Sequence, residues 1–184
     1  MVGFQRNTGT TVYPKQMKII GFTYYDGQTE MILKGDSCLL VNRKPFFMPD
    51  NSQDLRYTPC LVLRISRLGK GIAPKFAARY FDAIAQGADF VAWDKLQEAK
   101  GNGQSWTEAT CFDYSLAVGE WEAIQDTATL NEKLALPIEE AISQASKLMT
   151  IRQGDLIYIH FQSQPQTIAR NEIIEQKGLY CKVK

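Results

Sequence analysis

From Leu55 to Leu68 the chain keeps a two-residue period. Leu55, Tyr57, Leu61, Leu63 and Ile65 interleave with Arg56, Thr58, Cys60, Val62 and Arg64. Successive strand side chains point to opposite faces, so this segment reads as a long β-strand buried in a sheet. Its odd positions form one face, and Thr58 and Cys60 point together to the other. Pro59 has no N–H to give to a ladder, so the strand is expected to bulge or to lie at an edge there. Shorter runs of β-branched and aromatic residues read as further strands: Ile19 to Tyr25, Met31 to Leu33, Cys38 to Val41, Leu156 to Phe161 and Leu179 to Val183. Phe46-Phe47-Met48, bracketed by Pro45 and Pro49, reads as a short edge segment.

Two helices are signalled. After Pro74, the residues Phe76, Ala77, Tyr80, Phe81 and Ile84 share a helical face, with Gly87 as the stop. After Pro137, the residues Ile138, Ala141, Ile142, Ala145, Leu148 and Met149 form an apolar stripe. Glu139 and Glu140 fall in its first turn, where the helix dipole favours acids. Between the helices, Asp89 to Asp94 reads as extended and Trp106 to Trp121 as irregular. Strands and helices do not alternate regularly, which points to an α+β fold. With 184 residues and no low-complexity linker, one domain is expected over 17–184. Residues 1–16 read as an appended N-terminal arm, or Met17 as the initiator.

Lys+Arg is 21 against Asp+Glu 20, so the net charge of +1 gives no long-range attraction to nucleic acid or an anionic membrane. The basic stretch Arg64, Arg67, Lys70, Lys75 and Arg79 reads as a solvated face. No apolar run approaches the ~20 residues that span a bilayer. Cys38, Cys60, Cys111 and Cys181 are widely spaced, and read as buried thiols of a reducing cytoplasm. The sole histidine, His160, has no Gly-x-Ser-x-Gly elbow to serve, and a lone strand histidine reads as structural. Gly69-Lys70-Gly71 and Gly101-Asn102-Gly103 are tight turns, too short to cradle phosphate. Asp89 and Asp94 lie an odd number of residues apart, so on an extended strand they face opposite ways and cannot share one ion.

Several segments in order resemble the fumarylacetoacetate hydrolase family. They are Lys34-Gly35-Asp36-Ser37, Pro45-Phe46-Phe47-Met48-Pro49-Asp50, Arg67-Leu68-Gly69-Lys70 and Lys75-Phe76-Ala77-Ala78-Arg79-Tyr80-Phe81-Asp82. Gly87-Ala88-Asp89-Phe90-Val91-Ala92-Trp93-Asp94 resembles the family's Gly-x-Asp-x-Thr-Ala-Arg-Asp segment. Leu148-Met149-Thr150 with Gly154-Asp155-Leu156-Ile157 resembles its Met-Thr-Leu-x-Pro-Gly-Asp-Leu-Ile. The resemblance implies a rolled mixed β-sheet with flanking helices, paired as a homodimer. It also implies chemistry in which Mg²⁺ or Mn²⁺ holds a 1,3-dicarbonyl or 2-oxo acid for hydrolysis, decarboxylation or isomerisation.

Matched residue by residue, the resemblance implies a depleted site. The family's Glu-x-Glu metal pair falls on Thr58-Pro59-Cys60, and its third metal carboxylate on Asp89, the one ligand kept. Its arginine falls on Trp93, its lysine on Thr110, and its substrate turn around His160. The loop that carries its acid–base histidine is cut short between Gly21 and Glu30. Loss of one ligand costs roughly 10–100-fold in metal affinity, and loss of an acid–base group roughly 10²–10⁴-fold in rate. The expectation is therefore a non-catalytic binding or structural homologue with no cofactor, pairing with itself or with an active paralogue. Two alternatives stand beside it. Cys60, Asp89 and His160 could form a zinc or Cys–His site, or the family activity could persist through Asp89 with Glu30 or Asp26.

Overall fold

The computed structural model of the chain describes residues 17–41, 43–124 and 127–184. The expected arm over 1–16 lies outside the described residues.

Among the described residues ten strands are formed: β1 (Ile19–Tyr25), β2 (Gln28–Lys34), β3 (Leu39–Leu40), β4 (Leu55–Ile65), β5 (Phe81–Ala92), β6 (Leu116–Val118), β7 (Leu156–His160), β8 (Gln166–Thr167), β9 (Ile173–Gln176) and β10 (Leu179–Lys182). The helices are α1 (Trp93–Asn102), α2 (Thr107–Thr110), α3 (Thr127–Asn131) and α4 (Ile138–Leu148). An eight-stranded mixed sheet runs β2-β1-β7-β4-β5-β6-β3, with β8 also paired to β4, and β9 and β10 form a separate hairpin. β1 runs parallel to β7 and antiparallel to β2, so the two ends of the domain meet in one sheet. The Asp155 carboxylate reinforces that junction, accepting from the Lys18 backbone N–H at 3.0 Å and its ammonium at 2.6 Å.

The alternation in β4 is realised as two cores. Leu61, Leu63 and Ile65 face Ile20, Phe22, Ile157 and Ile159, and α4 covers this face with Ile138, Ala141, Ile142 and Ala145. Cys60 and Val62 face the other way, with Ile19, Leu156, Tyr158, Leu116 and Cys38. The predicted stripe of α4 is therefore its buried face from Ile138 to Ala145, whereas Leu148 is 61% exposed and Met149 lies past the helix end.

Three local expectations are corrected. Pro59 does not put β4 at an edge: β4 is central, and Pro59 pairs with Ala88 of β5. On its other side the Pro59 carbonyl accepts from Phe161 N–H at 3.1 Å, just where the pairing to β7 ends and that to β8 has not begun. A residue's N–H and C=O point to the same neighbour, so the missing donor falls in this gap. The bulge lies instead at Arg64/Ile65. Second, the helix expected after Pro74 is a 3-10 turn over Pro74–Arg79, and Phe81 to Ile84 belong to β5. Phe81, Ala83 and Ala85 are buried in alternation, and long pairing with β4 outweighs local helix propensity. Third, the expected extended stretch Asp89 to Asp94 ends at Ala92, and Trp93 and Asp94 open α1.

β1 returns into β2 through Asp26 and Gly27, both at positive φ (53° and 80°). Two such residues make the turn whose twist matches the flanking strands. The connection expected to be short is thus a two-residue hairpin.

Candidate functional site

Strand register brings together four of the positions singled out in the sequence. Thr58 lies opposite Asp89, Cys60 opposite Gly87 on the β5 side, and Cys60 opposite His160 on the β7 side. All four side chains are buried. They meet because residues 58 and 60 of β4 and 158 and 160 of β7 share a sheet face with residues 87 and 89 of β5.

At the centre is a charge that the sequence reading missed. The Lys34 ammonium stands 2.7 Å from Asp89 Oδ1, and both side chains are at most 1% exposed. This contact is an ion pair off the axis of a hydrogen bond. The same ammonium donates to the Ser115 hydroxyl at 2.8 Å and to the Ser115 carbonyl at 3.2 Å, and it lies 5.9 Å from the centre of the Tyr158 ring. Three oxygens therefore surround a group with three protons. Asp89 Oδ2 faces His160 Nε2 at 2.8 Å and accepts from the Tyr158 hydroxyl at 3.2 Å.

The histidine's role follows from its other nitrogen. Tyr24 N–H donates to His160 Nδ1 at 3.0 Å, so Nδ1 is an acceptor. Nε2 must then carry the ring proton and donate to Asp89. With Lys34 positive, Asp89 negative and His160 neutral, the cluster carries no net charge. Burial acts first to raise the Asp89 pKa, but the Lys34 charge and the His160 contact together hold it below the ordinary carboxylate value. Burial, reinforced by Asp89, pushes the Cys60 thiol well up, against the smaller effect of Lys34. Burial and Asp89 also push the Tyr158 and Tyr25 phenols well up.

The other predicted positions lie around this cluster. Trp93 opens α1, with its ring centre 5.6 Å from that of Tyr25 and Arg56 stacked over it at 4.7 Å. Thr110 ends α2; its hydroxyl donates to the Trp106 carbonyl, and its own carbonyl accepts from the Ser115 hydroxyl. Asp94 binds the Ser52 hydroxyl and the Gln53 and Lys95 amides, well separated in function from Asp89. Asp26 pairs with Lys100, and Glu30 is exposed. Neither acid joins Asp89.

These residues do not fit a hard divalent ion, which wants several free oxygens. Positions 58, 60 and 89 offer a hydroxyl, a protonated thiol and a carboxylate already engaged by an ammonium. At ~5 Å and an effective dielectric of ~20, a doubly charged ion and Lys34 would repel by roughly 7 kcal/mol. Zinc is no better served: the thiol is held protonated, and both His160 nitrogens are engaged. Among the described residues, no three His, Cys, Asp or Glu side chains converge as ligands.

The chain is 25% identical over 189 residues to the mitochondrial oxaloacetate tautomerase FAHD1 of Rattus norvegicus, covering 88% of this chain and 86% of that protein. The Mus musculus protein matches equally well. A protein assigned to the fumarylacetoacetate hydrolase family from Yersinia pestis superposes with a TM-score of 0.79 at 17% identity, over 92% of each chain. In sequence and in fold the chain is similar to the fumarylacetoacetate hydrolase family. Fumarylpyruvate hydrolase from Pseudomonas aeruginosa, solved with Mn²⁺ and pyruvate, shares the fold with a TM-score of 0.76 at 17% identity, over 92% of this chain and 89% of that one. 5-Carboxymethyl-2-hydroxymuconate delta-isomerase from Mycobacterium smegmatis does so at 0.74 and 17%, over 91% and 76%. Hydrolases and isomerases thus share this family fold, a mixed sheet with a few flanking helices, as the sequence resemblance implied. No family model matches the chain.

Two signals for the missed residues were present in the sequence. Tyr158 stands two positions before His160 in one strand, hence on the same face. Gly21, opposite Tyr158 on the parallel strand, leaves room for a large ring. Lys34 opens one of the segments that carry the family resemblance, but nothing in the sequence marks it as buried. A lysine closing a polar strand ordinarily reads as solvated.

Proposed function

We propose that this chain is a non-catalytic member of its family, a binding or structural homologue in which the Lys34 ammonium takes the place of a divalent cation. The observation that carries the reading is the buried 2.7 Å Lys34–Asp89 pair at the one retained family ligand position. Three features support it. Asp89 has all its neighbours within the chain, His160 is a donor rather than a free base, and the hairpin at Asp26-Gly27 has no room for a loop bearing a second histidine. Access points the same way. Four surface clefts among the described residues are lined by other residues than Asp89, Tyr158 and His160. The roomiest, about 580 Å³, lies between Val41, Arg43, Trp121 and Tyr180.

Pairing with a second copy, or with an active paralogue, belongs to the same proposal. No helix is long and apolar enough to cross a membrane. A cytoplasmic location is likewise a proposal, supported by four cysteines that are all free thiols.

The direct test is enzymatic. The purified chain, supplied with Mg²⁺ or Mn²⁺, should leave oxaloacetate tautomerisation and acylpyruvate hydrolysis at their uncatalysed rates. Turnover that disappears in Asp89→Asn would return the chain to the enzymatic side of its family.

A further inference from the structure

Two of the four cysteines meet on the far side of Ser115. Cys38 closes the turn Asp36–Cys38, and Cys111 caps the C-terminal end of α2; their sulfurs are 3.6 Å apart. A second link holds the two segments together, because Tyr114 N–H donates to the Ser37 carbonyl at 3.0 Å. Cys111 is half-buried, whereas Cys38, Cys60 and Cys181 are each 2% exposed or less. Reach and proximity thus coincide in one pair. The reachable thiol has a buried thiol in contact, and the remaining two are shut away.

We propose that Cys38 and Cys111 form an oxidisable dithiol, a modification site that a hydroperoxide converts into a disulfide. The Cys111 thiolate attacks the peroxide; the O–O bond breaks, a sulfenic acid forms, and the distal oxygen leaves as water or an alcohol with the thiol's proton. Cys38, as thiolate, then attacks the Cys111 sulfur. The S–S bond forms, the S–O bond breaks, and the hydroxyl leaves as water with the second thiol's proton. Two thiols lose two electrons in all, and one peroxide bond takes them up.

The sulfurs must close by about 1.5 Å to reach a bonded separation of ~2.05 Å. Each cysteine lies at the end of a short helical turn rather than within a paired strand. The position also gives the modification a consequence. Ser115, which holds the Lys34 ammonium, is the side-chain neighbour of Cys38. A disulfide would fasten the segment from which the buried charge cluster is supported.

The test is peptide mapping by mass spectrometry after treating the full chain with hydrogen peroxide at neutral pH, excess thiol being blocked before digestion. The expected result is a Cys38–Cys111 cross-linked peptide, a mass loss of about 2 Da, and Cys60 and Cys181 recovered as alkylated thiols. Cys111→Ser should abolish the cross-link and leave Cys38 reduced. Cys38→Ala should leave Cys111 as a sulfenic acid trapped by dimedone, a readout independent of disulfide formation. Recovery of both thiols unoxidised, or a cross-link that includes Cys60 or Cys181, would overturn the proposal.

Discussion

Lys34→Met should destabilise the protein by about 3–5 kcal/mol at neutral pH, measured by urea unfolding, because it leaves the Asp89 carboxylate buried without its countercharge. The pH dependence gives the effect a sign. In the native chain Asp89 titrates below its ordinary value of 3.8. Its contribution is therefore fully present above that value and is lost as pH falls through the lower folded value. Without Lys34 burial, which raises the folded pKa, is opposed by the His160 contact alone, and the folded value is expected to rise. The deficit of the variant should then be largest at neutral pH and shrink on acidification, as the buried carboxyl takes up a proton. Lys34→Met/Asp89→Asn removes the stranded charge and keeps an oxygen to accept from His160 and Tyr158. This double variant should recover most of the loss, since the stabilities of coupled partners are not additive. A loss under about 1 kcal/mol in Lys34→Met would mean that the ammonium does not hold Asp89.

Gly21→Ala should cost about 3 kcal/mol, the upper end for an overpacked core, read as a fall in urea midpoint with the slope unchanged. A Cβ at Gly21 would lie 2.2 Å from Tyr158 Cζ, where no side chain can fit. The ring has little freedom to retreat, because its hydroxyl is tied to Asp89 and its whole side chain is buried. Tyr158→Leu in the same background should remove the collision. The double variant should be more stable than the sum of the two single losses predicts. If Gly21→Ala unfolds within about 0.5 kcal/mol of the native chain, the ring is not packed against β1 as described.

Both results turn on residues that the sequence reveals unequally. The period of β4, the stripe of α4 and the short β1–β2 connection were legible because each is a local pattern that tertiary packing reinforces. Thr58, Cys60, Asp89 and His160, which the resemblance assigns to one site, do share one sheet face. The segment after Pro74 misled because Phe76, Ala77, Tyr80, Phe81 and Ile84 satisfy a helical period, which the long pairing of β5 along β4 overrides. Lys34 was hidden for a different reason. Its partner Asp89 is 55 positions away, and only the sheet order makes a strand-end lysine a buried ion. On the reading that the resemblance implies, Asp89 is a single carboxylate left in the core, one unbalanced negative charge. That imbalance could have prompted a search for a buried cation, but the sequence did not say which lysine or arginine supplies it.

The central claim of the proposal is that a lysine ammonium stands at the position to which the family resemblance assigns a metal. Titrating the native chain with Mn²⁺ and following the free-ion signal by electron paramagnetic resonance tests it most directly. At micromolar protein and metal the signal should remain that of free Mn²⁺, in the native chain and in Asp89→Asn alike. One Mn²⁺ taken up per chain, and released when Asp89 is replaced by Asn, would contradict the account.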